Sequence, residues 1–294
     1  MENINTCFVC GGADFAPYKN CTDFTVSNET FSIVKCNNCG FKFTNPRPDI
    51  FEIGKYYESE EYISHSNSGK GIINYLYKVV RNYTLNKKVN LINSLSKDKT
   101  ILDIGCGIGA FLNNCKITGW SVEGVEPSDN ARNFAMQNYK LDIKKEGKLL
   151  SFPDNSFSII TMWHVLEHIH LLNERIEELK RLIKKEGTII IAVPNCDSLD
   201  AEYYSGFWAA YDLPRHLYHF TPYTMNKLLD KHGLKIVNKL PMVFDAYYVS
   251  MLSEKYKKGS NPIVNALLNG FRSNHLGSKD INRFSSIIYI IKVK

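Results

Sequence analysis

The sequence predicts an α/β fold with a small cysteine-bound module in front of it. Three observations carry that expectation. An apolar run breaks into a glycine-rich turn and then a helix at "TILDIGCGIGAFL"; two CxxC pairs fall within the first forty residues; and later apolar runs, "FSIITMW" and "GTIIIAVPN", flank the charged helical stretch "ERIEELKRLIKKEG". With 294 residues and 44% hydrophobic side chains, the chain can bury one sizeable core and carry a small extra module.

No stretch approaches the ~18–20 apolar residues that would span a bilayer, and the start "MENINTCFVC" has no signal-like apolar region, which predicts a cytoplasmic protein. In that compartment eight cysteines point to thiols and metal sites rather than disulfides. The formal net charge of +6 is mild, and most Lys and Arg are interleaved with acids. That patterning argues against nucleic acid as the partner and leaves weak polyanion binding open.

Residues 1–48 form the first predicted unit. Cys7 and Cys10 in "CFVC" and Cys36 and Cys39 in "CNNC" each place two thiolates in one turn, and two such turns complete a tetrahedral zinc site. Gly11, Gly12 and Gly40 suit the tight backbone around the sulfurs, and "FSIV" and "FKFT" supply short strands. Four protein ligands leave no open coordination position, so this zinc is expected to be structural; a redox pair is the alternative. Cys21 is read as a bystander. "NPRPD", residues 45–49, ends the module because its prolines cannot continue a helix or a central strand.

Residues 49–98 are expected to connect the two units, with a helix from about Ile72 that aligns Ile73, Leu76, Tyr77 and Val80. Tyr56, Tyr57, Tyr62, Tyr75 and Tyr77 cluster here. They either pack the module onto the main domain or, for Tyr57 and Tyr62, line a substrate pocket.

Residues 99–294 carry the strongest signal. Ile101, Leu102 and Ile104 read as a buried strand, Gly105, Gly107 and Gly109 as a tight turn bringing backbone amides against a ligand, and Ala110–Phe111 as the start of a helix that favours anions. A second strand in "WSVEGVEPS" ends at Glu126, placed to accept both hydroxyls of a ribose, and Pro127 and Ser128 open the next helix. The pattern is G-x-G-x-G after Asp103, not the G-x-G-x-x-G of nucleotide dehydrogenases.

With these motifs in order, and "FSSIIYIIKVK" closing the chain as a late strand, the sequence resembles a class I S-adenosylmethionine-dependent methyltransferase of the small-molecule and sugar-modifying kind with an amino-terminal zinc-binding domain. The resemblance implies a Rossmann-like, seven-stranded sheet flanked by helices behind a zinc ribbon. It also implies Asp103, Gly105, Gly107 and Gly109 around the methionine part of the donor and Glu126 on the ribose, with Pro127 next to it. The family's acidic or polar adenine contact has no counterpart in "IKKEGKLLSF", which leaves backbone groups of Lys148 and Leu149 as the candidates there.

In that fold "FSIITMWHV" is the fourth strand, so His164 leaves it beside the donor, with Glu167 and His168 in the first turn of the next helix. Three readings stay open: a histidine general base oriented by Glu167, a second, divalent metal bound by His164, Glu167 and His168 with a histidine from elsewhere, or a purely structural cluster. His170 falls off the stripe and is expected to be exposed.

"FWAAYDLPRHLYHFTP" offers an acceptor loop with Trp208, Tyr211, Asp212, Arg215, His216 and His219, or else a buried connector. His216 is expected to share the site with His168, and Arg215 to face the substrate. Asp245, Tyr247 and Tyr248 are further pocket candidates. The leading expectation is methyl transfer to a hydroxyl, or to carbon, of a small polar acceptor: a sugar, nucleotide-sugar or glycan, as in polysaccharide biosynthesis. An RNA methyltransferase and a non-catalytic binding module are the alternatives.

Overall fold

The computed structural model describes residues 1–58, 72–259 and 263–294. The larger sheet has six strands in the order β5-β4-β6-β7-β10-β9. Its strands are β4 (Thr100–Ile104), β5 (Ser121–Val125), β6 (Phe157–Trp163), β7 (Ile183–Pro194), β9 (Leu234–Pro241) and β10 (Ser286–Val293). The first four run parallel, while β10 pairs antiparallel with both β7 and β9. Helices cover both faces, which is why these strands are unbroken apolar runs rather than alternating ones: Ile159, Ile160 and Met162, and Ile189, Ile190 and Ile191, are all inaccessible to solvent.

The seven strands expected become six among the described residues. The segment after α3 (Asp129–Tyr139) meets the sheet only at a parallel bridge, Val125 to Lys144, before entering a 3₁₀ turn at Glu146–Ser151. Two hydrogen bonds hold that bridge, Lys144 N–H to the Gly124 carbonyl at 2.9 Å and Glu126 N–H to the Lys144 carbonyl at 3.0 Å.

The expected helix is α1 (Ile72–Leu95), and α2 (Ala110–Ile117) follows the glycine turn. α4 (Leu172–Leu182) joins β6 to β7, α5 (Leu199–Tyr204) opens the acceptor loop and α6 (Pro222–Lys231) leads to β9. Thr221 caps α6, accepting from Thr224 N–H at 3.1 Å with Pro222 behind it. Between β9 and β10 stand two helices, α7 (Val243–Lys258) and α8 (Ile263–Lys279).

The amino-terminal module is a second sheet, β1 (Phe15–Thr22), β2 (Thr30–Cys36) and β3 (Lys42–Thr44), all antiparallel. Its fourth strand comes from far along the chain: β8 (Tyr218–His219) of the acceptor loop pairs with β3. Phe41, Phe43, Tyr218 and Phe220 then form one aromatic cluster continuous with the core under the large sheet. The amino-terminal module is therefore built into the segment between α5 and α6, and a boundary drawn at residue 48 cuts through a shared sheet. No described helix is long and apolar enough to cross a membrane.

Candidate active site

At the glycine turn, Gly105 and Gly109 sit at φ +69° and +77°, in the left-handed region that side chains rarely adopt. A Cβ on Gly105 would come 2.5 Å from Val165, whereas Gly107 has nothing within 4 Å on that side. The turn is thus open at its middle glycine, where a ligand can approach. Glu126 lies under it, with one carboxylate oxygen accepting from Gly107 N–H at 2.9 Å and the other from Ser128 N–H at 3.0 Å. Asp103 is buried and accepts from the Thr161 hydroxyl at 2.6 Å. Burial raises its pKa to about 7, against the Thr161 bond and the nearby Lys88 ammonium.

Lys88 was not legible in the sequence, where it reads as one more cation on an amphipathic helix. In the structure its ammonium lies 4.0 Å above the Trp163 ring, close enough to Asp103 and Asp245 to feel both charges, while burial pulls its pKa down to about 8. The Trp163 indole N–H is buried with no acceptor among the described residues. An orphaned donor, an open glycine cradle and a paired carboxylate are what a bound nucleoside with an amino-acid tail would complete, so the residues present fit an S-adenosylmethionine site.

Leu149 is buried, and its carbonyl already accepts from Arg181 and from Phe152 N–H. The Pro127 carbonyl accepts from Arg132 at 2.7 Å. We expect Glu126→Ala to weaken donor affinity about 10–100-fold while the protein still melts cooperatively, because a charged acceptor for hydroxyls is worth about 1.5–3 kcal/mol. Calorimetric titration with S-adenosylhomocysteine checks this, and unchanged affinity would remove Glu126 from the site.

Beyond β6 the chain departs from the expected helix. His164 takes φ +56°, and Glu167 and His168 lie on a separate 3₁₀ turn, Leu166–His168, ahead of α4. His164 bridges two carboxylates, with Nε2 2.9 Å from Asp245 and Nδ1 3.4 Å from Glu167. Burial alone would favour the neutral ring, but Asp245 and Glu167 outweigh it and raise the pKa to about 10. His164 is thus an imidazolium at neutral pH and unsuited to accept a proton.

His168 is the opposite case. Burial and the neighbouring His216 push its pKa down to about 4. Its Nδ1 lies 3.1 Å from the Arg215 carbonyl and 2.9 Å from the Tyr57 hydroxyl. His216 has Nδ1 2.9 Å from the Ala210 carbonyl. A carbonyl only accepts, so each ring carries a proton on Nδ1, and His168, with its depressed pKa, keeps Nε2 as a lone pair. The two rings meet edge to face at 4.6 Å. Glu167 is fully buried and, among the described residues, accepts no hydrogen bond of ordinary geometry, His164 Nδ1 standing off at 3.4 Å. One ligand atom each from Glu167, His168 and His216 lies within 4.8 Å of the others.

The structure therefore brings together His168, His216, Glu167, His164 and Tyr57. Other candidates fall elsewhere. Arg215 is 1% exposed and makes four internal hydrogen bonds, to Asp23 at 2.8 Å, to both oxygens of Asp212 at 2.7 and 3.0 Å and to the Tyr56 carbonyl at 2.8 Å. It clamps ribbon to acceptor loop and has no fork left for a substrate. Trp208 is buried with its indole N–H on Asp200 at 2.8 Å, Tyr211 is buried against it, and His219 is buried beside Thr44 at 3.2 Å. These are core positions in the connector, not a sugar-stacking surface. His170 is half-buried, its Nε2 3.1 Å from the Pro48 carbonyl, rather than exposed. Tyr62 lies outside the described residues. Because removing one partner of a buried ion pair strands the others, Arg215→Met should cost about 3–5 kcal/mol in urea unfolding. A loss under 1 kcal/mol, about what an exposed pair is worth, would mean Arg215 is solvated.

At the other end of the ribbon, Cys7, Cys10, Cys36 and Cys39 place one sulfur each within 4.8 Å of the rest, with Cys7–Cys39 at 3.5 Å and Cys10–Cys36 at 3.6 Å. Gly11 N–H donates to the Cys7 carbonyl and Gly40 N–H to the Cys36 carbonyl, closing the two turns. The set fits a tetrahedral zinc.

A family model described as a methyltransferase domain matches residues 78–239, more than half of the chain. The chain belongs to the methyltransferase-domain family. Over 147 residues this methyltransferase domain is 29% identical to a ubiquinone biosynthesis O-methyltransferase of Rickettsia bellii, a match covering 47% of this chain and 61% of that protein. It is 36% identical over 112 residues to an uncharacterized protein of Methanocaldococcus jannaschii, covering 36% of this chain and 45% of that one. The chain thus spans about half the length of the curated relatives it matches. Among solved structures, the magnesium protoporphyrin IX methyltransferase of Synechocystis with bound S-adenosylhomocysteine superposes with a TM-score of 0.54 at 13% identity, over 81% of this chain and 97% of that one. That likeness is one of fold, the Rossmann-like fold of S-adenosylmethionine-dependent methyltransferases.

Proposed function

We propose that this chain is an S-adenosylmethionine-dependent O-methyltransferase that deprotonates a hydroxyl acceptor with the His168–His216 pair. The observation that carries the reading is the buried Glu167 carboxylate, with the His164 Nδ1 near it at 3.4 Å, beside two imidazoles whose Nδ1 atoms face backbone carbonyls and turn Nε2 to the site. The donor's sulfonium supplies the electrophilic methyl group. Asp103, Glu126 and the glycine turn hold the donor, and Lys88 and Trp163 close the side facing α1. An imidazole Nε2 takes the acceptor's proton, and Glu167 offsets the imidazolium that forms. The doubly paired His164 cation fixes the position of Glu167 and ties it to Asp245 on α7.

The sugar acceptor expected from the sequence is replaced here. Its stacking residues, Trp208 and Tyr211, are in the core, and the Rickettsia relative is named for ubiquinone biosynthesis. A phenolic hydroxyl on a quinone-precursor ring is the acceptor class we assign, since it gives up its proton far more readily than a sugar hydroxyl. Purified protein given methyl-labelled donor should methylate a catechol or hydroquinone acceptor, giving a methyl ether by mass spectrometry. Methylation of a nucleotide-sugar instead would overturn the acceptor class, and absence of donor binding would overturn the activity.

A second reading of the same cluster is a divalent metal held by Glu167, His168 and His216. Backbone carbonyls fix the far nitrogen of each ring, as second-sphere partners do in metal sites. Elemental analysis separates the two. One zinc per chain, retained in His168→Ala, supports the base; a second metal lost from that variant supports the metal.

A further inference from the structure

Helix α8 is built inside out. Its buried face consists of Ala266, Asn269, Gly270, Ser273 and Gly277, whereas Ile263, Val264, Leu267, Leu268 and Phe271 are each at least half exposed. At 100° per residue these five apolar side chains share one face, with Phe271 near its centre. The helix cannot roll to hide them. A Cβ on Gly270 would come 2.6 Å from the Tyr247 ring and one on Gly277 2.6 Å from Phe284, so only small residues fit the inner side. An exposed apolar face of this extent, on a helix held by close packing, marks a contact surface.

Charge identifies the contact. From Lys255 to Lys279 the sequence holds Lys255, Lys257, Lys258, Arg272 and Lys279 and no Asp or Glu. Glu254 pairs with Lys258 at 3.3 Å, and Arg272 and Lys279 are exposed on α8 itself. A two-fold pairing of two copies through this face would set each basic rim against its own counterpart. An apolar stripe flanked by cations and free of acids instead matches the boundary between acyl chains and anionic headgroups.

We propose that α8 docks the protein on an anionic lipid surface, with Leu267 and Phe271 in the acyl boundary and Arg272 and Lys279 at the lipid phosphates. Docking would hold α7 and its Asp245–His164 contact at the membrane side of the site. The inference is independent of the acceptor's identity.

Co-sedimentation of the full chain with phosphatidylcholine vesicles, with and without phosphatidylglycerol, tests it. We expect binding only to the phosphatidylglycerol vesicles, weakened by salt. Leu267→Glu with Phe271→Glu should lower it at least about tenfold, and Arg272→Glu with Lys279→Glu should also weaken it. Titration with S-adenosylhomocysteine should be unchanged in both variants, which shows that they are folded. A wild-type chain that ignores the vesicles overturns the proposal, as do variants that bind vesicles like wild type. If light scattering instead finds a wild-type dimer that the Leu267/Phe271 variant dissolves, the occupant is a second copy and the proposal falls.

Discussion

His168→Ala is expected to lower turnover by about three orders of magnitude while leaving S-adenosylhomocysteine affinity within about twofold, because a positioned base contributes about 10²–10⁴-fold to rate and little to donor binding. The pH profile should carry the same signature. Burial and His216 hold His168 near about 4, so the ring stays neutral and competent well below the pH at which an ordinary histidine charges. The acid limb of the rate profile should therefore lie below pH 6 and report the pair rather than one ring. Removing the neighbouring ring in His216→Gln should raise the His168 pKa and move that limb upward. Glu167→Gln removes the carboxylate that offsets the imidazolium and should reduce turnover about as much as His168→Ala. A His168→Ala enzyme of near wild-type activity would move the base elsewhere, and His216 would be the next candidate.

If the four cysteines hold the zinc their geometry fits, stripping it should have the largest effect on stability. Structural zinc sites hold apparent free energies of about 10–16 kcal/mol, and the ribbon's core is small. We expect strong chelation or Cys36→Ser to lower the melting temperature by more than about 10 °C. The loss should not stay local. The Thr44 hydroxyl donates to the His216 carbonyl at 2.8 Å, Asp23 and the Tyr56 carbonyl take two of the Arg215 donors, and β3 pairs with β8. Turnover should accordingly fall more than donor affinity, since the residues proposed to hold the donor lie at the ends of β4 and β5. A protein free of zinc with unchanged melting would show that the four cysteines do not hold a metal.

The glycine turn and Glu126 were legible because their chemistry is local. Asp103 through Glu126 cover one strand, one helix and the next strand, and the φ values at Gly105 and Gly109 demand the residue found there. The CxxC pairs were legible for the same reason, since each is a single turn. Lys88 and the clamp role of Arg215 were not. Nothing in "NKKVN" distinguishes the lysine that lies over Trp163 from the one beside it, and the partners of Arg215, Asp23 and Tyr56, are far away in sequence. The acceptor loop misled for a related reason: "FWAAYDLPRHLYHF" has the residue types of a sugar site, but its aromatics turn inward once β8 joins the ribbon.

By itself the sequence determined the α/β class, the glycine turn with Glu126 beneath it and the four-cysteine set, because each depends on residues within a few turns of one another. Only the tertiary structure decided that His168 and His216 share Glu167, that His164 is a cation held by Asp245, and that the ribbon is completed by the catalytic half. Those facts rest on burial and on pairings across the chain, where a carboxylate as far away in sequence as Asp245 sets the charge of the His164 ring.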